Sequence, residues 1–443
     1  MVKTISVIGT GYLGATHAVC MAELGHRVVG IDVDERKISD LANGKVPFHE
    51  PGLPTLLDRN IERGTLTFTT NLAEGVADAD VHFITVGTPQ KAGETSADMS
   101  FVIEAVENVA RSMTHSGLIV GKSTVPVGSA RSLRDLAKRS VPEGIDVELV
   151  WNPEFLREGF AVEDTLTPDR IVVGANVEGQ TYGLDEVYRS ILDAGTPIIT
   201  TDFETSELVK VAANAFLATK ISFINAFAEV TEHVGGNITT LADAIGIDTR
   251  IGRRFLNAGL GFGGGCLPKD IRALQARVSE LGLDRTMSFL NQVDDINLRR
   301  RARLCEMAAN RLDRVDGKKV TVLGAAFKPD SDDVRDSPAL DVASKLYEMG
   351  YDVTVFDPVA NANAEARFPR LAYAESLEDS LDGADLLVLA TEWSDFRILD
   401  PKLTANKVAH RQLIDARNVL SVAEWESEGW TVDALGRKFD FHG

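Results

Sequence analysis

The sequence is poor in cysteine, and its basic residues are outnumbered by its acidic ones. It holds 3 cysteines among 443 residues, at Cys20, Cys266 and Cys305, and none shows the paired spacing typical of disulfide frameworks or zinc sites. Lysine and arginine number 46 against 66 aspartate and glutamate residues, which gives a formal net charge of −20 at pH 7. Nucleic acids and anionic membranes select basic faces, so the sequence argues against both as partners. It predicts no metal site.

Long apolar runs are also missing from this sequence. We find no stretch of the roughly 20 apolar residues that a membrane helix needs. Residues 1–14 run directly into a strand pattern, with no basic segment followed by an apolar one, so no signal peptide is predicted. Unpaired cysteines indicate a reducing compartment, and we expect a cytoplasmic protein. With 44% hydrophobic and 25% charged residues, the chain has the composition of a globular protein and the length of two or three domains.

Strand and helix patterns alternate through the first part of the chain. We predict a helix at Tyr12–Leu24 and strands at Thr4–Ile8, Arg27–Val33, Val81–Val86, Leu118–Lys122 and Val147–Val150. Strands separated by helices are typical of a parallel sheet with helices on both faces.

One long helix is predicted from Glu204 to Val234, followed by further helical segments to about Asn310. Small and apolar residues cover most of its circumference, which favours a helix that is covered on several sides, between domains or at a subunit interface. A second strand–turn–helix pattern begins at Lys318, with a helix at Ser337–Met349 and strands at 385–390 and 412–415. The predicted fold class is α/β, with two Rossmann-like doubly wound domains (residues 1–200 and 311–443) joined by a helical middle domain (201–310) with a long central helix.

Residues 9–14 read GTGYLG, which matches G-x-G-x-x-G directly after a strand and at the start of a helix. Glycines at this place let the backbone approach a pyrophosphate at the helix N-terminus. Asp32 ends the next strand, where a carboxylate can accept hydrogen bonds from the adenosine ribose and repel a 2′-phosphate. The pattern predicts a dinucleotide site that prefers NAD to NADP, although Arg36 and Lys37 nearby weaken that preference.

Residues 262–270 read FGGGCLPKD and lead into a predicted helix. Pro268 suits a first helical turn, which puts Cys266 at a helix N-terminus, where the helix dipole and Lys269 would stabilise a thiolate. Asp270 is one turn further along the same face and could act as a base. A small buried cysteine beside a glycine turn is the alternative, and this motif alone does not decide between the two.

Lys210 and Asn214 form an i, i+4 pair among apolar neighbours on the long helix. Such a lysine either extends to solvent or is held in a site with an anion, and periodicity alone favours the first. Thr124 and Glu154 follow strands at the edge of the sheet where ligands bind, or else belong to strand-ending turns. Cations in the last domain are candidate phosphate ligands or solvated loop charges: Lys328, Arg335 and Arg417.

Taken in order, these stretches resemble the UDP-glucose 6-dehydrogenase family. The resemblance is carried by GTGYLG, HEPGL, GTP, STVPVG, NPEFLREG, SELVKVAANAFLATKISFIN, FGGGCLPKD and AFKPDSDDVRDSPAL, with TEW and DAR continuing it to about residue 418. It covers nearly the whole chain. The cysteine motif and the helix with Lys210 and Asn214 are specific to nucleotide-sugar dehydrogenases, whereas the glycine motif is not.

The resemblance implies an NAD-dependent, four-electron oxidation of UDP-glucose to UDP-glucuronate through a cysteine thiohemiacetal and thioester. The implied catalytic residues are Cys266, Lys210, Asn214, Asp270, Glu154 and Thr124. The implied NAD-binding residues are Gly9, Gly11, Tyr12, Leu13, Gly14, Asp32, Lys37, Thr88, Pro89, Thr124, Glu158 and Arg335. The implied substrate-binding residues are Glu154, Phe155, Leu156, Lys210, Asn214, Arg250, Phe262, Gly263, Lys328 and Arg417.

The resemblance further implies a homodimer or larger homo-oligomer, in which Arg250 enters the site of a second subunit. Two positions depart from the family pattern: Lys37 stands where an arginine is common, and Asn257 stands where some members carry lysine. Three alternatives remain open at this point. They are a GDP-mannose 6-dehydrogenase, an inactive nucleotide-sugar sensor, and a two-electron dehydrogenase of the 6-phosphogluconate type in which Cys266 is incidental.

Overall fold

The computed structural model describes residues 2–437, which form two compact units. The first unit holds the described residues up to 213 together with 272–282, and the second holds 214–271 together with those from 283 onward. The division falls within two helices, so the helical middle of the chain contributes to both units.

A parallel sheet organises the first unit. Its strands are β1 (Thr4–Ile8), β2 (Arg27–Ile31), β3 (Leu66–Thr69), β4 (Val81–Ile84), β5 (Gly117–Gly121), β6 (Val147–Trp151), β7 (Ile171–Gly174) and β8 (Ile198–Thr201). The order is β3-β2-β1-β4-β5-β6-β7-β8, and every neighbouring pair is parallel except β6 and β7. The strand order therefore reverses between β1 and β4, which is where doubly wound sheets bind ligands.

Helices cover both faces of this sheet. They are α1 (Tyr12–Glu23), α2 (Glu35–Ala42), α3 (Leu53–Glu62), α4 (Leu72–Ala77), α5 (Ser100–Ser112), α6 (Ser129–Ser140), α7 (Ala161–Leu166), α8 (Leu184–Val187) and α9 (Arg189–Asp193). Alternate strand residues enter two separate cores. Val7, Phe83 and Val120 pack on the face of α1, whereas Ile8, Ile84 and Ile119 pack on the face of α5 and α6. Strands buried on both faces are the reason their sequences read as continuous apolar runs.

The middle of the chain is helical, with α10 (Phe203–Val234), α11 (Ile238–Gly246), α12 (Leu267–Glu280) and α13 (Phe289–Val315). By length and composition α10 could cross a membrane, and 39% of its most apolar window is buried. Ile224 and Ala228 on one side of α10 pack into a core with α11. Glu232, near its end, pairs with the buried Arg300 of α13 at 3.2 Å.

In the single chain α10 is covered on part of its circumference, and the cover expected at a subunit interface stays a prediction. A row of large apolar side chains at helical spacing is exposed along its second half: Phe216, Phe223, Phe227, Val230 and Val234. One side of α10 is buried in the second unit and the opposite side faces outward.

The second unit contains a six-stranded, fully parallel sheet. Its strands are β9 (Lys319–Leu323), β10 (Asp352–Phe356), β11 (Ala372–Tyr373), β12 (Leu386–Leu389), β13 (Gln412–Asp415) and β14 (Thr431–Ala434), in the order β11-β10-β9-β12-β13-β14. Its helices are α14 (Pro338–Glu348), α15 (Asn361–Arg367), α16 (Leu377–Leu381), α17 (Ser394–Arg397), α18 (Pro401–Thr404) and α19 (Val422–Ser427). Both sheets place their first strand beside the point where strand order reverses, so the predicted fold class, with two Rossmann-like sheets and a long helix in the middle, is confirmed.

Candidate functional site

The turn that joins β1 to α1 has the shape of a pyrophosphate site. Gly9 has φ +93°, and a Cβ there would lie 2.8 Å from the side chain of Val86. A Cβ at Gly14 would lie 1.8 Å from the Gly9 carbonyl oxygen, so α1 packs against the turn because residue 14 has none. Gly11 caps α1 and opens on space, with nothing within 4 Å of a Cβ. The turn therefore leaves room for a dinucleotide beside the N–H groups of a helix N-terminus.

Asp32 follows β2 and lies beside this turn. Its Oδ2 accepts hydrogen bonds from the Thr10 N–H and the Lys37 ammonium, both at 2.8 Å. Burial raises the pKa of Asp32, but the hydrogen bond from Lys37 and the N–H groups of Asp34 and Thr10 outweigh it and hold the pKa below its ordinary value. The carboxylate is therefore ionised at neutral pH, which suits a ribose hydroxyl and disfavours a 2′-phosphate. The residues of this half fit NAD.

Glu50 is a buried carboxylate that the sequence analysis gave no role. It accepts hydrogen bonds from the Tyr12 hydroxyl, and from the N–H groups of Gly159 at 2.7 Å and Val162 at 3.3 Å. Burial and the bond to Glu50 raise the pKa of Tyr12 far above its ordinary range. Glu50 thereby ties the glycine turn to the end of the loop that carries Glu158. Its motif, HEPGL, contributed to the family resemblance but carried no chemical signal of its own.

The loops after β4 and β5 are joined to each other. The Thr88 hydroxyl donates to the Thr124 carbonyl oxygen at 2.8 Å, and the Ser123 hydroxyl donates to the Val86 carbonyl oxygen at 2.7 Å. Because neighbouring parallel strands end at the same edge of a sheet, Thr88, Pro89 and Thr124 lie together at the edge where β1 and β2 deliver the glycine turn and Asp32.

Glu154 and Lys210 form a buried ion pair in the first unit. The Lys210 ammonium lies 2.9 Å from Glu154 Oε1, and the two side chains are 6% and 13% exposed. The Leu156 N–H donates to Glu154 Oε2 at 2.6 Å, and the Lys210 ammonium lies 5.7 Å from the ring centroid of Phe155. Lys210 is therefore held beside an anion and does not extend to solvent. Periodicity alone had favoured extension to solvent.

Cys266 is exposed and caps α12 in the second unit. Its carbonyl oxygen accepts the Asp270 N–H at 2.9 Å, which is the first bond of the helix. The position at a helix N-terminus is as predicted, and the exposure of the thiol speaks against the alternative of a small buried cysteine. Helix N-termini favour anions, so the place is suited to a thiolate.

The glycines before Cys266 serve close packing within the second unit. A Cβ at Gly263 would lie 2.3 Å from the Asp336 carbonyl oxygen, and one at Gly265 would lie 2.3 Å from the guanidinium carbon of Arg335. Gly264 has φ +83° and faces the ring of Phe327. The glycines therefore let the protein's own segment 327–336 approach closely, because no side chain would fit against it.

Asp270 lies at the centre of a polar group next to Cys266. Its Oδ2 accepts a hydrogen bond from the Asn214 side-chain amide at 2.7 Å, and its Oδ1 lies 2.8 Å from the Lys269 ammonium. The side chain is 2% exposed. The carboxylate thus has one neutral donor and one cation beside it, an arrangement that suits a group that orients water.

The predicted phosphate ligands of the second unit already contact the protein's own groups. Arg335 is half-exposed and pairs with Asp333, 2.6 Å from Nη2. The Lys328 ammonium lies 5.5 Å from the ring centroid of Phe327. Arg417 donates to the carbonyl oxygens of Ala390 at 2.6 Å and Gly261 at 3.1 Å. Arg417 therefore anchors the glycine segment to the sheet, in addition to any contact with substrate.

Two further predicted substrate residues differ in their surroundings. Phe262 is buried, and its N–H and carbonyl oxygen both bond to the Asn297 side chain, at 2.7 and 3.0 Å. Arg250 is 87% exposed and contacts Asp248 of its own chain at 2.5 Å. Its guanidinium is accessible, as a group that reaches another subunit must be.

Two buried charged residues in the first unit were missed by the sequence analysis. Glu207 accepts the N–H groups of Gly128 and Ala130, both at 2.7 Å, and so caps α6. Lys122 donates to Asn152 at 2.9 Å beneath the edge of the sheet. Neither had a signal in the sequence, because a single charge within an apolar stretch usually lies at the surface.

Comparison with known proteins identifies the family along the chain. Three models of the UDP-glucose/GDP-mannose dehydrogenase family match: the NAD binding domain at residues 3–192, the central domain at 204–299 and the UDP binding domain at 321–422. The chain is 41% identical to the UDP-glucose 6-dehydrogenase of Rhizobium meliloti, covering 98% of this chain and 99% of that protein. It is 36% identical to UDP-glucose 6-dehydrogenase TuaD of Bacillus subtilis, covering 98% and 93%. A UDP-glucose dehydrogenase structure from Pyrobaculum islandicum superposes with a TM-score of 0.89, at 36% identity over 99% and 98% of the two chains.

The doubly wound sheet, the glycine turn and the ionised Asp32 define an NAD-dependent dehydrogenase. The second unit adds an exposed cysteine at a helix start. The chain belongs to the UDP-glucose/GDP-mannose dehydrogenase family and is a nucleotide-sugar dehydrogenase.

Proposed function

We propose that this protein oxidises UDP-glucose to UDP-glucuronate in two successive hydride transfers, with the acyl group carried as a thioester on Cys266. The observation that carries the proposal is the exposed Cys266 thiol at the start of α12, next to buried Asp270, in a chain with an NAD-binding turn. The related UDP-glucose 6-dehydrogenases, which match along nearly the whole chain, support the choice of sugar.

NAD, when bound, supplies the hydride acceptor for both oxidations. The residues that would hold it are Gly9, Gly11, Tyr12, Leu13, Gly14, Asp32, Lys37, Thr88, Pro89, Thr124, Glu158 and Arg335. The open space at Gly11 and the ionised carboxylate of Asp32 support this set most directly. Glu50 maintains the turn through Tyr12.

The chain's own residues explain why an aldehyde need not escape. The first oxidation removes a hydride and a proton from the primary alcohol, and Glu154 takes part in transferring that proton. The Cys266 thiolate then adds to the aldehyde carbon to give a thiohemiacetal. Loss of a second hydride and the hydroxyl proton gives a thioester. Water attacks this carbonyl, the C–S bond breaks, and the carboxylate and the free thiolate are the products.

Lys210 and Asn214 bind the reacting oxygen, where negative charge develops in each step. Asp270 and Thr124 position the water that cleaves the thioester. The ion pair of Lys210 with Glu154 supports this assignment because it places an ammonium and a carboxylate away from bulk water. Charged groups interact more strongly with substrate in such surroundings than in water. The hydrogen bond from Asn214 supports the placing of Asp270.

The UDP-sugar would be bound by Glu154, Phe155, Leu156, Lys210, Asn214, Arg250, Phe262, Gly263, Lys328 and Arg417. We assign NAD binding to residues 1–200, association with a second copy to 201–310, and UDP-sugar binding to 311–443. The match of residues 321–422 to a UDP binding domain supports the last assignment. We further propose that the enzyme is cytoplasmic and acts as a homodimer or larger homo-oligomer.

A panel of nucleotide sugars tests the substrate. Purified protein and NAD are incubated separately with UDP-glucose, UDP-N-acetylmannosamine and GDP-mannose, and NADH is followed against acid formed. We expect UDP-glucose to react fastest and to yield two NADH per sugar. Faster turnover of GDP-mannose would make the chain a GDP-mannose 6-dehydrogenase, and no turnover of any sugar would favour a sensor.

A thioester that accumulates would test the mechanism. Asp270→Asn should slow hydrolysis more than oxidation, so acid quenching and mass spectrometry should find the nucleotide-sugar acyl mass on the peptide that contains Cys266. Cys266→Ala should bind NAD but lose steady formation of acid, while Cys305→Ala, which removes a thiol from the core of the second unit, should keep it. Near-normal turnover of Cys266→Ala with two NADH per sugar would refute the covalent mechanism.

A further inference from the structure

Lys122 is a buried lysine at the end of β5, directly before Ser123 and Thr124. Its ammonium donates to Asn152 Oδ1 at 2.9 Å and to the Tyr188 hydroxyl oxygen at 3.4 Å. It also lies 6.0 Å from the ring centroid of Phe83 and 5.9 Å from that of Tyr188. Tyr188 in turn donates to Asn152 Oδ1 at 2.9 Å. All of the ammonium's immediate contacts are thus with neutral groups.

A buried ammonium of this kind is unfavourable for folding. Within residues 2–437, no carboxylate lies at ion-pairing distance from Lys122, in contrast to Lys210, which has Glu154 at 2.9 Å. Burial lowers the pKa of Lys122 to about 8, the charge of Glu154 opposes this shift and that of Lys210 adds to it. An apolar side chain of similar length would fill the same space without a desolvation cost. Stability therefore does not explain why a lysine stands here.

The presence of a lysine at position 122 is better explained by the two loops that its contacts join. Lys122 directly follows β5, the strand that leads to Thr124, and Asn152 directly follows β6, the strand that leads to Glu154. The Asn152 side-chain amide donates to the Val172 carbonyl oxygen at 2.8 Å, which fixes its orientation so that Oδ1 faces the ammonium. Beside the backbone bond from the Asn152 N–H to the Gly121 carbonyl oxygen at 2.7 Å, the side-chain bond from Lys122 to Asn152 therefore connects the bases of two loops that carry groups of the proposed reaction.

We propose that Lys122 is a positioning residue for this reaction: its ammonium, acting through Asn152, sets the spacing of the Thr124 loop and the Glu154 loop. The inference rests on the proposed function, because Thr124 and Glu154 act on substrate only within it. The charge of Lys122 also lies close enough to Glu154 and Lys210 to interact with both. A loop shifted by a fraction of an ångström changes the rate of the chemical steps more than it changes binding.

Lys122→Met tests this role, with Lys138→Met as its control. Lys138 is a lysine of α6 that pairs with Glu148 at 2.7 Å near the surface of the same unit. For Lys122→Met we expect an unchanged or raised Tm, a kcat lowered about tenfold or more, and a KM for NAD within about threefold of wild type. Lys138→Met should keep kcat.

A double-mutant cycle separates positioning from a general loss of structure. If Lys122 acts through Asn152, then Asn152→Leu should lower kcat as well, and the double variant should be no slower than the slower single variant. Should Lys122→Met not unfold cooperatively, Lys122→Leu, which also removes the donor to Asn152, takes its place in the cycle with the same expectations of direction.

Three results would overturn the inference: a kcat of the Lys122 variant close to wild type, a fall in kcat that follows a fall in Tm, or fully additive effects in the cycle. These differ from a failure of the proposed function, which is decided on the wild-type chain alone. If wild type oxidises a different nucleotide sugar, the proposed substrate is wrong and the ratio of variant to wild type is measured with that sugar. If wild type oxidises none, both proposals fall together.

Discussion

At the scale of single residues, we expect Asp32 to select NAD over NADP. Its ionised carboxylate lies at the end of β2, and the Lys37 ammonium 2.8 Å away neutralises part of its charge. We expect wild type to use NADP far less efficiently than NAD, and Asp32→Asn to narrow the ratio of the two kcat/KM values by about tenfold. Steady-state kinetics with both cofactors measure this ratio.

Asp34→Asn is the matched control for that experiment. Asp34 accepts the N–H groups of Arg36 at 3.0 Å and Lys37 at 3.1 Å, so it caps α2 without facing the glycine turn. Asparagine also caps helices, and the cofactor ratio should stay at the wild-type value. Comparable kcat/KM for NAD and NADP in wild type would remove the ribose role of Asp32.

Glu207 should make stability depend on pH. Burial raises its pKa from 4.5 to about 7, although the N–H groups of Ala130 and Gly128 favour the carboxylate. In the folded state the group therefore protonates more readily than in the unfolded state. The contribution of Glu207 to the free energy of unfolding is fully present below the pKa of the unfolded state. It is lost as pH rises towards 7, a change on the order of 3 kcal/mol.

Glu207→Gln should remove this dependence, since an amide does not titrate. Urea unfolding of wild type and Glu207→Gln at pH 5 and pH 7.5 measures it: the free energy of unfolding of wild type minus that of Glu207→Gln should fall as pH rises, because only wild type loses this contribution. Glu204→Gln is the control, because Glu204 pairs with Arg131 at 2.8 Å and its pKa is lowered. A wild-type slope that Glu207→Gln leaves unchanged would assign the pH dependence to other groups.

The residues that the sequence could predict are those whose motif has one chemical meaning. Gly9, Gly11 and Asp32 stand at fixed places after strands, so their spacing alone predicts where they lie in the fold. Lys210 required the structure, because its partner Glu154 is distant in sequence. Lys122 is equally buried yet lies in a run that reads as an ordinary strand. Burial of a charge depends on tertiary packing, which a single sequence does not display.

At the scale of elements, most strands were predicted and five were missed. β1 and β13 have the predicted bounds, and β2, β4, β5 and β6 are shifted by one or two residues at their ends. The strands that escaped prediction are β3, β7, β8, β11 and β14. β8 is half-exposed and lacks the apolar run that marks a buried strand, whereas β7 is buried, but periodicity does not distinguish so short an apolar run from part of a buried helix.

The two sheets have the same topology around their first strand, but the carboxylate that follows the second strand has different hydrogen-bond partners in each. In the second unit Asp357 follows β10 as Asp32 follows β2. Its Oδ2 accepts the N–H groups of Ala325 at 2.8 Å and Ala326 at 3.0 Å, and the Trp393 indole N–H at 3.0 Å. These bonds occupy the carboxylate with the protein's own donors. A shared fold therefore does not imply a second dinucleotide site, because the acid that would meet a ribose is already saturated.

The exposed face of α10 should mediate association between copies. It presents Phe223 and Phe227, with ring centroids 4.9 Å apart, between Phe216 and Val230. An apolar row of this size on a helix costs solubility unless another surface covers it. Phe223→Glu together with Phe227→Glu should therefore convert the assembly to monomers in sedimentation velocity.

Ile398→Glu provides the control, since Ile398 is 81% exposed in the second unit on a different helix end. This variant should sediment as wild type does. If the variant with both glutamates remains assembled, the interface lies elsewhere. If wild type is active as a monomer, activity does not require an interface.

At the scale of the whole molecule, we expect the substrate-binding residue Arg250 to reach from one subunit into the site of another. Arg250 is 87% exposed, and the contacts of its guanidinium are with Asp248 of its own chain. In a protein with a net charge of −20, an exposed arginine offers a local positive charge for a diphosphate. We expect Arg250 to serve the site that contains Cys266 of the other copy.

Hybrid dimers test this assignment, and the reciprocal hybrid makes the test decisive. Arg250→Ala subunits and Cys266→Ala subunits, co-expressed with different tags and purified as hybrids, should recover one working site per dimer, or about half of wild-type activity. The double variant Arg250→Ala/Cys266→Ala paired with wild type should recover almost none, because the remaining Cys266 then meets a partner without the arginine. Action within one subunit reverses both results: the first hybrid stays inactive and the second keeps one site. If both hybrids have equal activity, Arg250 is not part of the site. The positive charge that binds the diphosphate must then come from the cations of the second unit alone.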